Sequence, residues 1–234
     1  MHLKIPGYPS VFRPVNPGLC AGKSPGLAGL ISGVSQYSTH CSLSISKLYS
    51  KTQVTNDVVE CYVVTANCSV NVLAYSANDD CTRRIGQVKV NGVVVWQGSW
   101  AGHFSTPRGV NTLRIDPFSC SVLEGPLRFD TYESQNSARK LTDYLQQLDD
   151  GSVIVGVTAD EASRNLSSAL PTLREFGIDV ADVGIRGSFS FIAQKGYPDK
   201  TVLRKVLTEE ESNKTPARVH AVVTGTYALI ALLG

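Results

Sequence analysis

The sequence predicts an α+β fold, a sandwich of mainly antiparallel sheet with helices packed on one side. Three observations predict it. Strand-like runs dominate from Asp57 onward and then give way to helices alternating with strands, the order expected when helices gather on one face of a sheet. An Asn-Gly pair, Asn91-Gly92, divides two Val-rich runs and marks a tight antiparallel hairpin. Two later segments carry apolar residues at helical spacing, each making one stripe for a core. At 234 residues the chain suits one good-sized domain with an extension, or two small domains.

Residues 1–55 are rich in Gly, Ser and Pro, with one helically spaced patch of Leu27, Leu30, Ile31 and Val34. They read as an N-terminal extension or small subdomain without an assigned role, and 56–224 as the main domain. There, VVECYVV and CSVNVLAY are two strand-like runs dense in β-branched and aromatic residues. Next come the hairpin QVKVNGVVVWQ and a loop holding Trp100, His103 and Pro107. GVNTLRID is a further strand, ended by Pro117; LRFD, after Gly125-Pro126, begins another. Leu141, Tyr144, Leu145 and Leu148 then form a helical stripe, with Arg139, Lys140, Asp143, Gln146 and Gln147 facing away and Gly151 as the stop. Burying those four side chains contributes about 1.5–3 kcal/mol each. The short apolar run VIVGV is a central strand covered on both faces. Asp160, with Ser163 three residues on, is placed to cap a second helix. That helix buries Leu166, Leu170, Leu173 and Phe176, is broken or kinked by Pro171, and ends at Gly177. The last strong strand, SFSFIA, puts Phe189 and Phe191 on one face and is preceded by Arg186. Residues 225–234 form an apolar tail, too short and too interrupted for a membrane span. A final strand with a loose end is the expectation there, and a truncated anchor signal the alternative.

Composition excludes several classes. Twenty-two Lys and Arg against 20 Asp and Glu leave a net charge of +2. The basic residues are scattered, so neither a nucleic-acid face nor attraction to a membrane surface is supported. Cys20, Cys41, Cys61, Cys68, Cys81 and Cys120 are an even set without the CxxC pairs of a zinc site, and they favour an oxidised compartment. Sequons at Asn67, Asn165 and Asn213 point the same way. The opening MHLKIPGYPSVFRPVNPG lacks the apolar run of a secretory signal, so either a signal has been removed or the chain is a fragment.

Catalytic patterns are weak. There is no Gly-rich phosphate loop, and His2, His40, His103 and His220 show no ligand spacing. The expectation is a protein that is not an enzyme, with no cofactor and no metal. Asp79-Asp80 and Asp149-Asp150 are adjacent pairs rather than a spaced metal motif, and Asp160 with Asp130 is the pair a glycosidase reading would nominate. Three charged residues at the rims of apolar elements stand out instead: Arg108, Asp160 and Arg186. Two guanidinium forks and a carboxylate can match the hydroxyls and acetamido group of a sugar by charge-assisted hydrogen bonds. Trp100 and Tyr132 are candidates for an aromatic face behind it. From spacing alone, the plainer account is a helix cap with its counter-ions.

The markers VLAYS after Cys61 and Cys68, VKVNGVVV, PRGVNTLRID, FDTY, VTADEAS, LREFG and GIRGSFSFIAQKG, in this order, resemble the ILEI or PANDER-like domain. That domain occurs in secreted cytokine-like proteins, in cell-surface hyaluronan-degrading proteins and in the stem of protein O-mannose N-acetylglucosaminyltransferase. The resemblance runs from about Cys61 to Lys205. It implies a ββα sandwich, secretion or a luminal location, and no catalysis by the domain itself. In the transferase stem the module is lectin-like, and its sugar-contacting residues match Arg108, Asp160 and Arg186. The chain departs from the family at Gly187 and Phe189, where Asp and Trp are usual. It also lacks a C-terminal cysteine of the cytokine-like members, which leaves the partners of Cys68 and Cys120 open. The resulting expectation is a secreted or luminal lectin-like protein for terminal sugars such as N-acetylglucosamine, with glycans or glycoproteins as partners. The rivals are a cytokine-like signalling ligand and an accessory domain of a larger extracellular enzyme. A homo-oligomer would gain avidity by pairing weak sites.

Overall fold

The computed structural model describes residues 65–75, 86–98, 108–207 and 216–225 with their side chains, and the strand backbone alone of 12–15, 33–34, 42–48, 53–54, 57–64, 85, 99 and 226–233. Trp100, His103, Cys20, Cys41, Cys81, Asn213, the Asp79-Asp80 pair and the patch from Leu27 to Ile31 lie outside the described residues, as does the side chain of Cys61. The chain divides into two compact units, Met1–Asn67 with Thr224–Gly234, and Cys68–Val223.

The first unit holds short strands β1 (Phe12–Val15), β2 (Gly33–Val34), β3 (Ser42–Leu48) and β4 (Gln53–Val54). It also holds parts of two long strands, β5 (Asp57–Leu73) and β13 (Arg218–Leu233). Pairing is antiparallel, with Phe12 against Ala231 and Ser42 against Asn67. One expectation changes here, because Val34 is in a strand rather than a helix. The expected final strand is present and runs as far as Leu233, further than a loose end allows.

The second unit contains β6 (Ile85–Val90), β7 (Val93–Ser99), β8 (Gly109–Ile115), β9 (Val122–Phe129), α1 (Gln135–Gln147), β10 (Val153–Ala159), α2 (Leu170–Glu175), β11 (Ser188–Gln194) and β12 (Val202–Val206). The two runs VVECYVV and CSVNVL are a single strand, β5, because nothing between them demands a turn. Asn91 and Gly92 both take positive φ, 49° and 80°, and close the β6–β7 hairpin as a type I′ turn requires.

Five antiparallel strands run in the order β12-β11-β10-β8-β9, so VIVGV is central and fully buried. One face of this sheet, with Val110, Ile154, Phe189 and Phe191, packs on Leu141, Leu145, Leu166, Leu173 and Phe176 of the helical layer. The other face, with Leu113, Val155, Val157 and Ile192, packs on Cys68, Val70, Val72, Val88 and Val90. Sheet, sheet and helices are therefore stacked in that order, the α+β sandwich with helices on one side. The alternating burial of Cys68, Val70 and Val72 along β5 is the period of two that a sheet facing one core must have.

Local expectations shift in two places. β9 does not begin after Gly125-Pro126 but runs through it from Val122; the proline is tolerated because β9 is an edge strand with no outer partner needing its N–H. Helix α1 ends at Gln147, and Gly151 (φ 85°) instead turns the chain into β10. Cys68 and Cys120 are joined in a disulfide, one of the pairings the sequence left open.

Candidate functional site

β8 begins, and β10 ends, at the same end of the five-stranded sheet. Gly109 pairs with Ala159 as the outermost couple, so Arg108 and Asp160 are the next residues outward on adjacent strands. On the other side of β10, Ser188 begins β11, and Arg186 lies two residues ahead of it. Antiparallel register thus brings the three residues singled out by sequence to one rim.

Arg108 is held there by Asp130. Its Nε donates to Oδ1 at 2.9 Å and to Oδ2 at 3.2 Å, and its Nη2 donates to Oδ2 at 2.8 Å. Arg128, two residues back along β9, adds a 2.7 Å bond from its own Nη2 to Oδ2. Burial alone would push the Asp130 carboxyl up, but hydrogen bonding and charge from Arg108, with the Glu133 N–H and the Arg128 charge, hold it below the usual carboxylate range. Arg108 is raised by its hydrogen bond to Asp130, against a smaller penalty of burial, and the Asp160 charge adds to the effect. Asp160 is therefore within electrostatic reach of Arg108.

Tyr132 lies beneath this pair. The Arg108 guanidinium is 4.5 Å from its ring centroid and that of Arg164 is 4.9 Å away. Two guanidinium groups already lie over the ring that sequence nominated as a sugar platform. The loop carrying Tyr132 is laced to the loop after β10: Asn165 Nδ2 donates to the Tyr132 carbonyl at 2.7 Å, and Thr131 Oγ1 donates to the Ala162 carbonyl at 2.7 Å.

The helix-capping role expected of Asp160 has no counterpart, since the helical elements that follow carry no side-chain cap; its neighbour Glu161 instead organises the turn at Ser163 and Arg164. Glu161 is buried, and its Oε1 accepts from the Ser163 N–H and hydroxyl, both at 2.7 Å, and from the Arg164 N–H at 3.2 Å. Its Oε2 accepts the N–H of Arg186. The second helix starts later than the capping pattern implied, with a 3-10 turn at Ser167–Ala169 followed by α2. Pro171 falls in the first turn of α2, where a missing N–H costs nothing, so it starts the helix instead of breaking it.

Asp160 and Arg186 both adopt left-handed backbone, φ 60° and 63°. Such a conformation costs a residue with a Cβ about 1–2 kcal/mol. The Gly187 N–H bonds to the Gly184 carbonyl at 3.0 Å, so Arg186 is the third residue of a tight turn, a position that glycine normally fills. Gly187 itself has no room for the family's Asp, because a Cβ there would be 2.7 Å from both Val183 Cγ1 and the Val206 carbonyl oxygen.

Sequence reasoning missed Arg128, Glu161 and Arg164 as parts of this rim, and named Asp130 only as a catalytic partner for Asp160. Alternation along RFD, which puts Arg128 and Asp130 on one face, was the available signal for that pair. Among the described residues no group of three or more His, Cys, Asp or Glu could hold a metal ion, and no helix is long and apolar enough to cross a membrane.

Within this part of the chain an ILEI-like domain is detected: residues 108–197 match the family described as Interleukin-like EMT inducer. The chain is also similar to two relatives named cell migration-inducing and hyaluronan-binding protein. The Homo sapiens protein is 33% identical over 130 residues, 55% of this chain, and the Mus musculus protein is 32% identical over 130 residues. Cell surface hyaluronidase CEMIP2 of Homo sapiens is 33% identical over 69 residues, 30% of this chain. The chain spans only 9% of the length of the first two relatives and 5% of the third.

Proposed function

We propose that this protein is an extracellular carbohydrate-binding module that recognises glycans carrying N-acetylhexosamine, such as N-acetylglucosamine ends, through Arg108, Asp160 and Arg186. The observation that carries this reading is the strained rim. Two non-glycine residues hold left-handed backbone side by side at the end of one sheet, opposite an arginine clamped by Asp130. Strain of this kind persists where it presents a side chain that function needs. Arg108 gives its Nε and Nη2 donors to Asp130; its Nη1 would donate to a sugar oxygen, and the Asp160 carboxylate would accept from hydroxyl or amide N–H groups.

Binding rather than chemistry is favoured by the two buried carboxylates. Asp130 is bound by two arginines that hold its carboxyl below the usual range, so it is not poised to give or take a proton, and the oxygens of Glu161 are engaged by four donors. The names of the relatives support a glycan ligand and a location outside the cell, and the Cys68–Cys120 disulfide suits an oxidising compartment. In this reading the module needs no cofactor or metal, and affinity comes from several linked sugars or paired sites.

A glycan array followed by calorimetric titration tests the proposal. The expected result is binding to N-acetylglucosamine-terminated glycans or hyaluronan fragments, lost in Asp160→Asn with folding unchanged. Asn is the right substitution because it tolerates left-handed φ while removing the charge. A folded sample silent on the array and in titration would overturn the reading. The description Interleukin-like favours one rival, a secreted signalling ligand in which the three residues are structural. Saturable binding to cells that free sugars do not compete away would support that rival.

A further inference from the structure

We infer that Glu161 is a positioning residue for the sugar site, holding Arg164 and Arg186 in register through their backbone N–H groups. The inference rests on the carbohydrate reading above. Its basis is a division of labour between two oxygens of one buried carboxylate. Oε1 takes the Ser163 N–H and hydroxyl and the Arg164 N–H, which shapes the loop after β10. Oε2 reaches a different element and takes the N–H of Arg186 in the 184–187 turn. The two loops are otherwise far apart in sequence, and each carries an arginine whose exposed side chain leaves from a backbone atom that this one side chain fixes.

The chemistry is specific to a carboxylate. Four donors converge on it, and only a group with acceptors on both arms and no proton of its own can satisfy them all. Glutamine has nearly the same shape but one arm is an NH2. With its carbonyl left on the Ser163 and Arg164 side, where three donors gather, its NH2 faces the N–H of Arg186, donor against donor. The 161–164 loop keeps its bonds, and the turn bearing Arg186 is pushed off. Arg186 already carries left-handed strain, so loss of this bond removes one of the contacts that hold it there.

The test uses the full chain with Glu161→Gln, Arg186→Gly and the double variant. The first readout needs no ligand. Amide hydrogen exchange at Arg186 is expected to rise about tenfold in Glu161→Gln, while Ser163 and Arg164 stay near their original protection. The second is titration with a β-linked N-acetylglucosamine trisaccharide. Affinity should fall about tenfold in Glu161→Gln, and the double variant should be no weaker than Arg186→Gly alone, because both changes remove the same contact. If Arg186 exchange is unchanged, or if Glu161→Gln releases that amide yet binds sugar like the wild type, the positioning role is wrong. Should Glu161→Gln not fold, the same titration of the wild-type protein reads the coupling: the Arg164 and Arg186 amides should shift together with one dissociation constant, and movement of only one refutes it. Sugar silence with altered Arg186 exchange would instead sink the carbohydrate reading and leave the anchoring role of Glu161 standing.

Discussion

The two ends of the five-stranded sheet solve the same turning problem with different residues. At the end where β8 finishes and β10 begins, polar side chains serve the backbone. Asp116 accepts from the Phe118 N–H at 2.9 Å and the Ser119 hydroxyl at 2.7 Å, Gln194 Nε2 donates to the Gly151 carbonyl at 3.1 Å, and Lys195 Nζ donates to the carbonyls of Gln146 and Leu148 at the end of α1. Left-handed positions there fall on Gly151 and Gly196, with Cys120 the exception inside its disulfide. At the opposite end Gly109 is left-handed too, but Asp160 and Arg186 occupy positions where glycine would cost less. In the proposed reading, the first end uses glycine where the second keeps strained charged residues whose side chains a ligand needs.

The largest expected effect separates the ends by sterics. Gly109→Ala places a Cβ 2.1 Å from the Phe129 carbonyl oxygen, a backbone atom that cannot move aside, and should cost about 3 kcal/mol or more. Gly151→Ala, with nothing within 4 Å of the added carbon, should cost only the left-handed penalty of about 1 kcal/mol. Denaturant unfolding of both variants measures the difference. Equal losses would show that the two ends are not built differently.

Asp130→Asn comes next, with an expected loss of about 1–3 kcal/mol, reduced from a fully buried pair because Arg108 and Arg128 are partly exposed. It should weaken sugar binding as well by releasing Arg108. The pH dependence has a definite sign. The Asp130 carboxyl is depressed in the folded protein, so its contribution is complete above the unfolded value of about 3.9 and is lost as pH falls through the lower folded value. Wild type and Asp130→Asn should differ by a constant amount at neutral pH and converge only in strong acid. Convergence already near neutrality would contradict the clamp.

The smallest effect belongs to the other end. Lys195→Met removes a cation from the last carbonyls of α1 and should cost about 0.5–1 kcal/mol with no change in sugar affinity. A loss of sugar binding in that variant would erase the distinction between the ends.

Much of this molecule was legible in the sequence because its signals are local. Asn91-Gly92 can hardly do anything but turn, VIVGV has no polar residue to show to water, and the Leu141–Leu148 stripe fixes which face of α1 is buried. Boundaries were less legible. The proline of β9 looked like a strand start because its edge position depends on sheet order, and β5 looked like two strands because Thr65 to Cys68 is polar in texture though regular in conformation. In the site, spacing located Asp160 but read it as the cap of a helix that starts later than the pattern implied, and it gave no sign that the adjacent Glu161 would take the amides of Ser163 and Arg164. The Asp130 clamp joins residues 22 apart, one just after β9 and one just ahead of β8, and no local pattern announces a contact of that kind.

The central claim, that the strained rim is kept for a ligand, is tested most directly by Arg186→Gly. Glycine adopts φ 63° freely, and its greater chain entropy offsets part of the relief, so the melting temperature should hold or rise slightly while affinity for N-acetylglucosamine-terminated glycan falls about tenfold or more. A variant that melts several degrees lower and binds the glycan as well as the wild type would contradict the account, because Arg186 would then be serving the fold.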